Sequence, residues 1–377
     1  MTSTITLYVN EHTDELYALH KELCLIPAPS HLEHRRAEFC KAWFDENLGG
    51  GAYIDEALNV IYPYKADGNE LTVFCAHTDT VFPDTEYPMP FSDDGTYIRS
   101  PGVGDDTASL AAMMIAAKYV VKNNVDTKGG VLFVANSCEE GLGNLKGTRQ
   151  LMKDYDGRIK QFISFDSKIP HITVGSVGSH RYNVEVTTEG GHSWGAFGKK
   201  NAIAELARIA AAIYDIELPV KEGAKVTYNV GTISGGTSVN TIAQSAQMLC
   251  EYRSNDRELL AFMEERFHEI FKAVNKDDVK VTVTKVGDRP CMGFIPDGKQ
   301  EALIALATDV VERVYKTEVN YGKGSTDCNI PLSIGIPAIA VGNYKGGGTH
   351  TREEWVEKAS MIPGLEFTIE LMIALMK

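Results

Sequence analysis

The sequence predicts an α/β protein: a mostly parallel sheet flanked by helices, interrupted by a smaller α+β domain. Three observations lead there. Short unbroken apolar runs bounded by turn residues alternate with helical segments over residues 1–177 and again from residue 290, the pattern of strands and crossover helices. Between those stretches the strand-like runs become half-polar with a period of two, which fits an antiparallel sheet with one face on helices. The apolar runs of the first kind also end on carboxylates and histidines, where an open sheet of this class keeps its ligand crevice.

Residues 13–23 and 34–48 read as helices, and 71–76 as a buried strand. Residues 107–121, rich in Ala, Met and Ile without a breaker, read as a buried helix, and 131–135 and 162–165 as core strands. Residues 182–186, 225–233, 246–252 and 279–286 alternate with period two, and 202–216 is helical. In residues 256–274 Leu259, Leu260, Met263, Phe267, Ile270, Phe271 and Val274 fall on one helical face. The order is βαββαβ, a ferredoxin-like arrangement. The first pattern resumes with a helix at 302–315, a core strand at 338–341 and a closing helix at 362–376. The expected division is a split parent domain, 1–177 with 290–377, around an inserted domain, 178–289.

The chain has 377 residues, 44% hydrophobic and 23% charged, an ordinary globular composition with room for a sizeable core. Its net charge of −14 argues against nucleic acid or an anionic membrane as partner. No basic segment followed by an apolar stretch opens the chain, and no run approaches the ~18 apolar residues of a bilayer span. Seven scattered cysteines without a Cys-x-x-Cys pair point to a reducing, cytoplasmic setting.

The chemistry-bearing residues follow the core runs. His77-Thr78-Asp79 closes the first, and a metal-ligand histidine needs an acceptor such as Asp79 on its other ring nitrogen. Asp105 lies in the glycine-rich turn Gly102-Val103-Gly104-Asp105-Asp106, which opens a helix. Glu139-Glu140 follows the strand at 131–135, Asp166 follows 162–165, and His350 sits in Gly346-Gly347-Gly348-Thr349-His350. Two histidines and three carboxylates suit a pair of borderline-hard divalent ions, zinc first, with manganese or cobalt able to occupy the same ligands. Of two adjacent glutamates, one can bind metal while the other acts as general base.

His77-x-Asp79, Gly104-Asp105-Asp106, Ser137-Cys138-Glu139-Glu140-Gly141, Asp166, Gly190-Gly191-His192-Ser193 and Gly348-Thr349-His350 resemble, in order and spacing, the di-zinc exopeptidase family of peptidase T, glutamate carboxypeptidase, aminoacylase and carnosinase-like dipeptidases. The resemblance runs nearly the whole chain and implies a zinc-exopeptidase catalytic domain with a lid and dimerisation domain inserted. It also implies roles. His77 and Asp166 hold one zinc, Glu140 and His350 the other, and Asp105 bridges both. Asp79 orients His77, and Glu139 is the base that activates water. His192 reaches the partner subunit's active site in a homodimer and steadies the developing oxyanion. The segment 235–243 with Asn240, followed by Arg253, resembles the grip on a substrate carboxylate, and an Arg fork beside an amide suits a carboxylate physically. Gly324-Ser325-Thr326-Asp327 resembles a family loop near the site. Two departures stand out. Thr107-Ala108 follows the bridging aspartate where many relatives carry lysine, and position 166 is Asp rather than the Glu of deacetylase relatives, which leans toward peptidases.

The leading expectation is a metal-dependent exopeptidase acting on di- and tripeptides. The alternative is an N-acyl-amino-acid amidohydrolase with the same metals and the same grip. A non-catalytic binding protein on this scaffold would lack a ligand or the base, and this chain keeps them all.

Overall fold

Strands buried on both faces are written as continuous apolar runs. Leu71–His77 and Gly130–Asn136 are such runs, buried at nearly every position. In the structure, a computed structural model describing residues 4–377, they pair in parallel with Phe74 opposite Phe133 and His77 opposite Asn136. Ile159–Ser164 joins on the other side of Leu71–His77, also parallel, and Ala338–Val341 follows it. These four strands form the middle of an eight-stranded sheet. Its flanks are Val60–Tyr64 and Tyr53–Ile54 on one side, and His171–Ser176 and Asn320–Gly324 on the other. Parallel strands end on the same edge, so the residues following the central four emerge together.

The helix Thr107–Lys122 packs against Leu71–His77, the helix Thr13–Leu25 and the closing helix Met361–Met376. Its small Ala and Ser side chains let these neighbours approach closely, and it is buried almost throughout. Residues 358–376 are long and apolar enough to cross a membrane by length and composition, and Leu365, Phe367, Ile369, Leu371 and Met372 are fully buried in the core. All seven cysteines are buried thiols. A small four-stranded sheet places Trp355–Glu357 between Gly346–Gly347 and Tyr97–Arg99, with Ser92–Asp93 beyond.

The chain divides into two compact units, one running to Ser176 and resuming at Gly293, the other Val177–Met292. Cys291 belongs to the second: its thiol donates to the Ser254 carbonyl (3.1 Å) and it is buried in that core.

The second unit is an antiparallel sheet in the order Val226–Gly235, Ser245–Ser254, Gly178–Thr188, Val279–Arg289. Alternate residues of its strands, such as Tyr182, Val184, Val186, Met248, Cys250 and Tyr252, face Leu206, Ile209, Met263, Phe267 and Phe271 of two helices. Those helices, Ala202–Tyr214 and Arg257–Val274, begin at caps. Asn201 Oδ1 accepts from the Ile203 N–H, and Asp256 Oδ1 from the Leu259 N–H. The element order is βαββαβ. The structure adds elements with weak local signals: the helices Thr4–Glu11 and Lys146–Asp154 and the strands Val60–Tyr64, His171–Ser176 and Asn320–Gly324.

Candidate metal centre

The site is built at the common edge of the central strands. His77 is the last residue of its strand, Asp166 lies two residues past Ser164, and Glu139-Glu140 follow Asn136 on a short loop. Asp105 is delivered by the turn before Thr107–Lys122. That turn needs glycine twice. Gly102 has φ +72° and a Cβ there would meet Thr80 Cγ2 at 2.5 Å, while at Gly104 it would meet the Tyr344 ring at 2.6 Å. His350 follows Gly348, itself at φ +69°.

Seven of the residues singled out in the sequence converge here: His77, Asp79, Asp105, Glu139, Glu140, Asp166 and His350. Asp105 stands in the middle. Its Oδ1 lies 3.0 Å from His77 Nε2 and its Oδ2 lies 3.1 Å from His350 Nε2. His350 Nε2 is also 3.0 Å from Glu140 Oε1. Two donor sets share Asp105: His77 with Asp105 and Asp166, and Asp105 with Glu140 and His350, the donor atoms of each within 4.8 Å of one another. Glu139 closes a third set with His77 and Glu140 within the same limit, so its carboxylate borders the centre.

Asp79 holds the arrangement from behind and is fully buried. His77 Nδ1 lies 3.0 Å from the Asp79 carbonyl oxygen and 3.4 Å from its carboxylate. The carboxylate's shorter contacts are elsewhere. Oδ1 accepts from the Glu139 N–H (2.9 Å), and Oδ2 from the Glu140 N–H (2.9 Å) and the Ser30 hydroxyl (2.6 Å). Asp79 therefore fixes the glutamate loop as well as the histidine.

The electrostatics show how much negative charge is gathered. Burial pushes Asp166 up to about 7; Asp105, Asp327 and Glu140 add to this while His77 opposes it. Burial likewise raises Asp106 well above the carboxylate range. Hydrogen bonds donated to the Asp105 and Glu140 carboxylates hold His350 up at about 10. Burial works against protonating His77, yet Asp106, Asp105 and Asp79 outweigh it and hold that ring well above its ordinary value. The same histidines pull Asp105 below the carboxylate range against its burial. Protons thus gather where cations would relieve the repulsion, and divalent metal would displace them. Nitrogen and carboxylate oxygen donors, arranged as two sets sharing one aspartate, fit a pair of divalent ions.

Three predicted residues lie in the second unit. His192 pairs with Thr241 in a two-stranded piece, and the Ser193 N–H donates to the Asn240 carbonyl (2.9 Å), so His192 and Asn240 adjoin. Arg253 does not join them. It pairs with Thr227 and Ser179 at one end of Ser245–Ser254, whereas Asn240 follows the Gly235–Ala246 end. About 23 Å of strand separates those ends. The Arg253 fork lies on Glu251, with Nε 2.8 Å from Oε1 and Nη2 3.1 Å from Oε2. An Arg–amide grip formed by these two residues side by side is thus absent within one copy of this unit.

Sequence reasoning gave no role to several buried or half-buried polar residues around the centre. Asp106 Oδ2 accepts the His77 N–H (2.9 Å). Arg36, fully buried, donates to the Thr78 carbonyl (2.8 Å) under the His77–Asp79 turn. Asp327, in the loop that resembled the family without a role, accepts from the Thr148 hydroxyl. Lys168 Nζ donates to Thr349 Oγ1 (2.6 Å) beside His350. Glu354 accepts three backbone N–H groups of the Asp105 turn. Asp106, next to Asp105, and Asp327, in the Gly324-Ser325-Thr326-Asp327 segment, had a signal in the sequence; the others had none.

Comparison with known proteins gives the family and supports the fold. A probable carboxypeptidase of Ajellomyces dermatitidis is 26% identical over 334 residues, covering 82% of this chain and 74% of that one. Aminopeptidase PepT of Bacillus cereus superposes with a TM-score of 0.73 at 23% identity, over 97% of this chain and 99% of that one. The dipeptidase Dug1p of Saccharomyces cerevisiae does so with a TM-score of 0.76 at 14% identity, over 100% and 99%. Residues 73–374 match Peptidase family M20/M25/M40, and the chain is a metallopeptidase belonging to that family.

Proposed function

We propose that this protein is a two-metal exopeptidase that hydrolyses di- and tripeptides, with Glu139 as general base. One observation carries the reading: the two carboxylate oxygens of Asp105 each face a different histidine, at 3.0 and 3.1 Å. His77 and Asp166 would hold one ion, Glu140 and His350 the other, and Asp105 both. Zinc is the ion that the donor types favour, with manganese or cobalt as alternatives. Bound there, the pair would supply Lewis-acid polarisation of the scissile carbonyl and acidify a water molecule.

The chain's own residues do the rest. Asp79 fixes the His77 ring and aims the backbone of Glu139 and Glu140. Glu139 takes the proton from the attacking water and passes it to the leaving amine. His192 steadies the charge that develops on the carbonyl oxygen, acting in the partner subunit's site. That role calls for a homodimer through the second unit. The nearly full exposure of Trp194 (89%), Phe197 (91%) and Val239 (102%) around His192 and Asn240 supports a surface made to be covered.

The test is hydrolysis of a mixed panel by the zinc-loaded protein, with and without chelator, read by mass spectrometry. Free di- and tripeptides should be cleaved, and chelator should stop the reaction. The released residue then identifies the end attacked. Cleavage of N-acylated amino acids alone would replace the peptidase reading with the deacylase.

A further inference from the structure

We propose that Glu354 is a positioning residue that aims Asp105 at both metal positions, locking the His350 loop to the Asp105 turn. The inference rests on the two-metal reading above. The Glu354 side chain is buried, and the residue is 1% exposed. Its Oε2 accepts the Gly102 N–H (3.0 Å), and its Oε1 accepts the Gly104 N–H (3.2 Å) and the Asp105 N–H (3.0 Å). An ionised carboxylate only accepts, and these three donors surround it as backbone N–H groups surround a bound anion. The third donor is the N–H of Asp105 itself, the residue whose two oxygens divide between His77 and His350. A small rotation of that peptide would move one oxygen off its histidine.

Two features make Glu354 a rigid anchor rather than a surface side chain that happens to reach. The next residue, Trp355, begins the strand Trp355–Glu357, which pairs with Tyr97–Arg99 three residues ahead of Gly102. The Glu354 N–H also donates to the Thr351 carbonyl (3.3 Å), closing a turn directly after the one that carries His350, in which the Thr351 N–H donates to the Gly348 carbonyl (2.9 Å). His350 and Glu354 therefore lie four residues apart on one loop. The His350 ring meets the Asp105 side chain, and the Glu354 carboxylate meets the Asp105 backbone N–H. Asp105 and His350 are set relative to each other by a hydrogen-bonded bracket that does not itself touch metal or substrate.

The experiment is metal titration of apoprotein against a chromophoric chelator, for wild type, Asp105→Asn, Glu354→Gln and Glu354→Asp, with melting of each apoprotein alongside. Glutamine keeps the shape but turns an NH2 group toward one of the N–H donors. Wild type should bind two ions, and Asp105→Asn should weaken both. Glu354→Gln should melt within a few degrees of wild type as apoprotein yet bind the more weakly held ion about 10- to 100-fold less tightly, the loss typical of a residue that orients a ligand. A cobalt-loaded sample should show a changed visible spectrum, and Glu354→Asp should recover part of the affinity. Wild-type affinity for both ions in a folded Glu354→Gln overturns the proposal. So does a Glu354→Gln apoprotein that unfolds or melts far lower, which assigns Glu354 to folding alone. Failure of wild type to bind two ions would instead overturn the two-metal reading.

Discussion

Glu139 and Asp79 meet through the backbone, which separates their roles cleanly. The Glu139 N–H is held by Asp79 Oδ1 whatever side chain Glu139 carries. Glu139→Gln should therefore retain both metals, measured by elemental analysis, while kcat falls on the order of 10²- to 10⁴-fold. Near-normal turnover in a metal-replete Glu139→Gln would remove Glu139 as the base. Asp79→Asn acts differently. An amide offers one acceptor where Asp79 receives two backbone N–H groups and a hydroxyl, so an NH2 must face a donor. Metal affinity should drop roughly 10- to 100-fold, visible by titration without any substrate. Arg253 shows what a single residue's neighbours decide. In a strand, residues two apart share a face, so Glu251 and Arg253 were placed to pair, and they do. A reading attentive to that spacing would have found Arg253 already engaged.

At the scale of elements, the second unit stands on two capped helices and the apolar face they share. Asn201 Oδ1 accepts from the Ile203 N–H (2.9 Å) and the Ala204 N–H (3.3 Å). Asn201→Ala should cost about 1 kcal/mol of stability in denaturant titration. Phe267 is fully buried and stacks edge-on to Tyr252 (4.7 Å between centroids) and Phe271 (5.8 Å). Phe267→Ala should cost about 3–5 kcal/mol. A loss below ~1 kcal/mol would mean the core collapses into the space. The central strands and long helices that the sequence displayed clearly bury a continuous run or a full helical face. The strands it hid are edges or mixed in composition. Asn320–Gly324 carries two glycines and one exposed aromatic, and Val60–Tyr64 contains a proline. Their strand character comes from hydrogen bonds to His171–Ser176 and Gly130–Asn136, partners distant in sequence.

For the molecule as a whole, the buried acids make stability depend on pH and metal together. Burial raises Asp166 and Glu354 to about 7 and Asp327 to about 6. An acid whose folded pKa lies above its unfolded one binds its proton more tightly when folded. Its stabilising contribution is complete below the unfolded value near 4 and is lost as pH rises through the folded value. The metal-free protein should therefore lose stability between about pH 4 and pH 7 on account of these groups. Divalent metal should reverse that trend around Asp166, because the ligand must be deprotonated to bind. Calorimetry across this range, with and without zinc, checks it; an apoprotein whose melting temperature rises steadily to pH 7 contradicts it. The sequence by itself determined the α/β class, the inserted βαββαβ segment and the set of residues gathered at the sheet edge. It could do so because burial writes periodic patterns locally and because parallel strands deliver their ends to one side. Only the tertiary structure decided that Asp79 serves the glutamate loop, that Arg253 lies on Glu251 away from Asn240, and that Glu354 brackets Asp105. Those outcomes depend on which loops meet in space to neutralise buried charge, and no pattern within a single element records that.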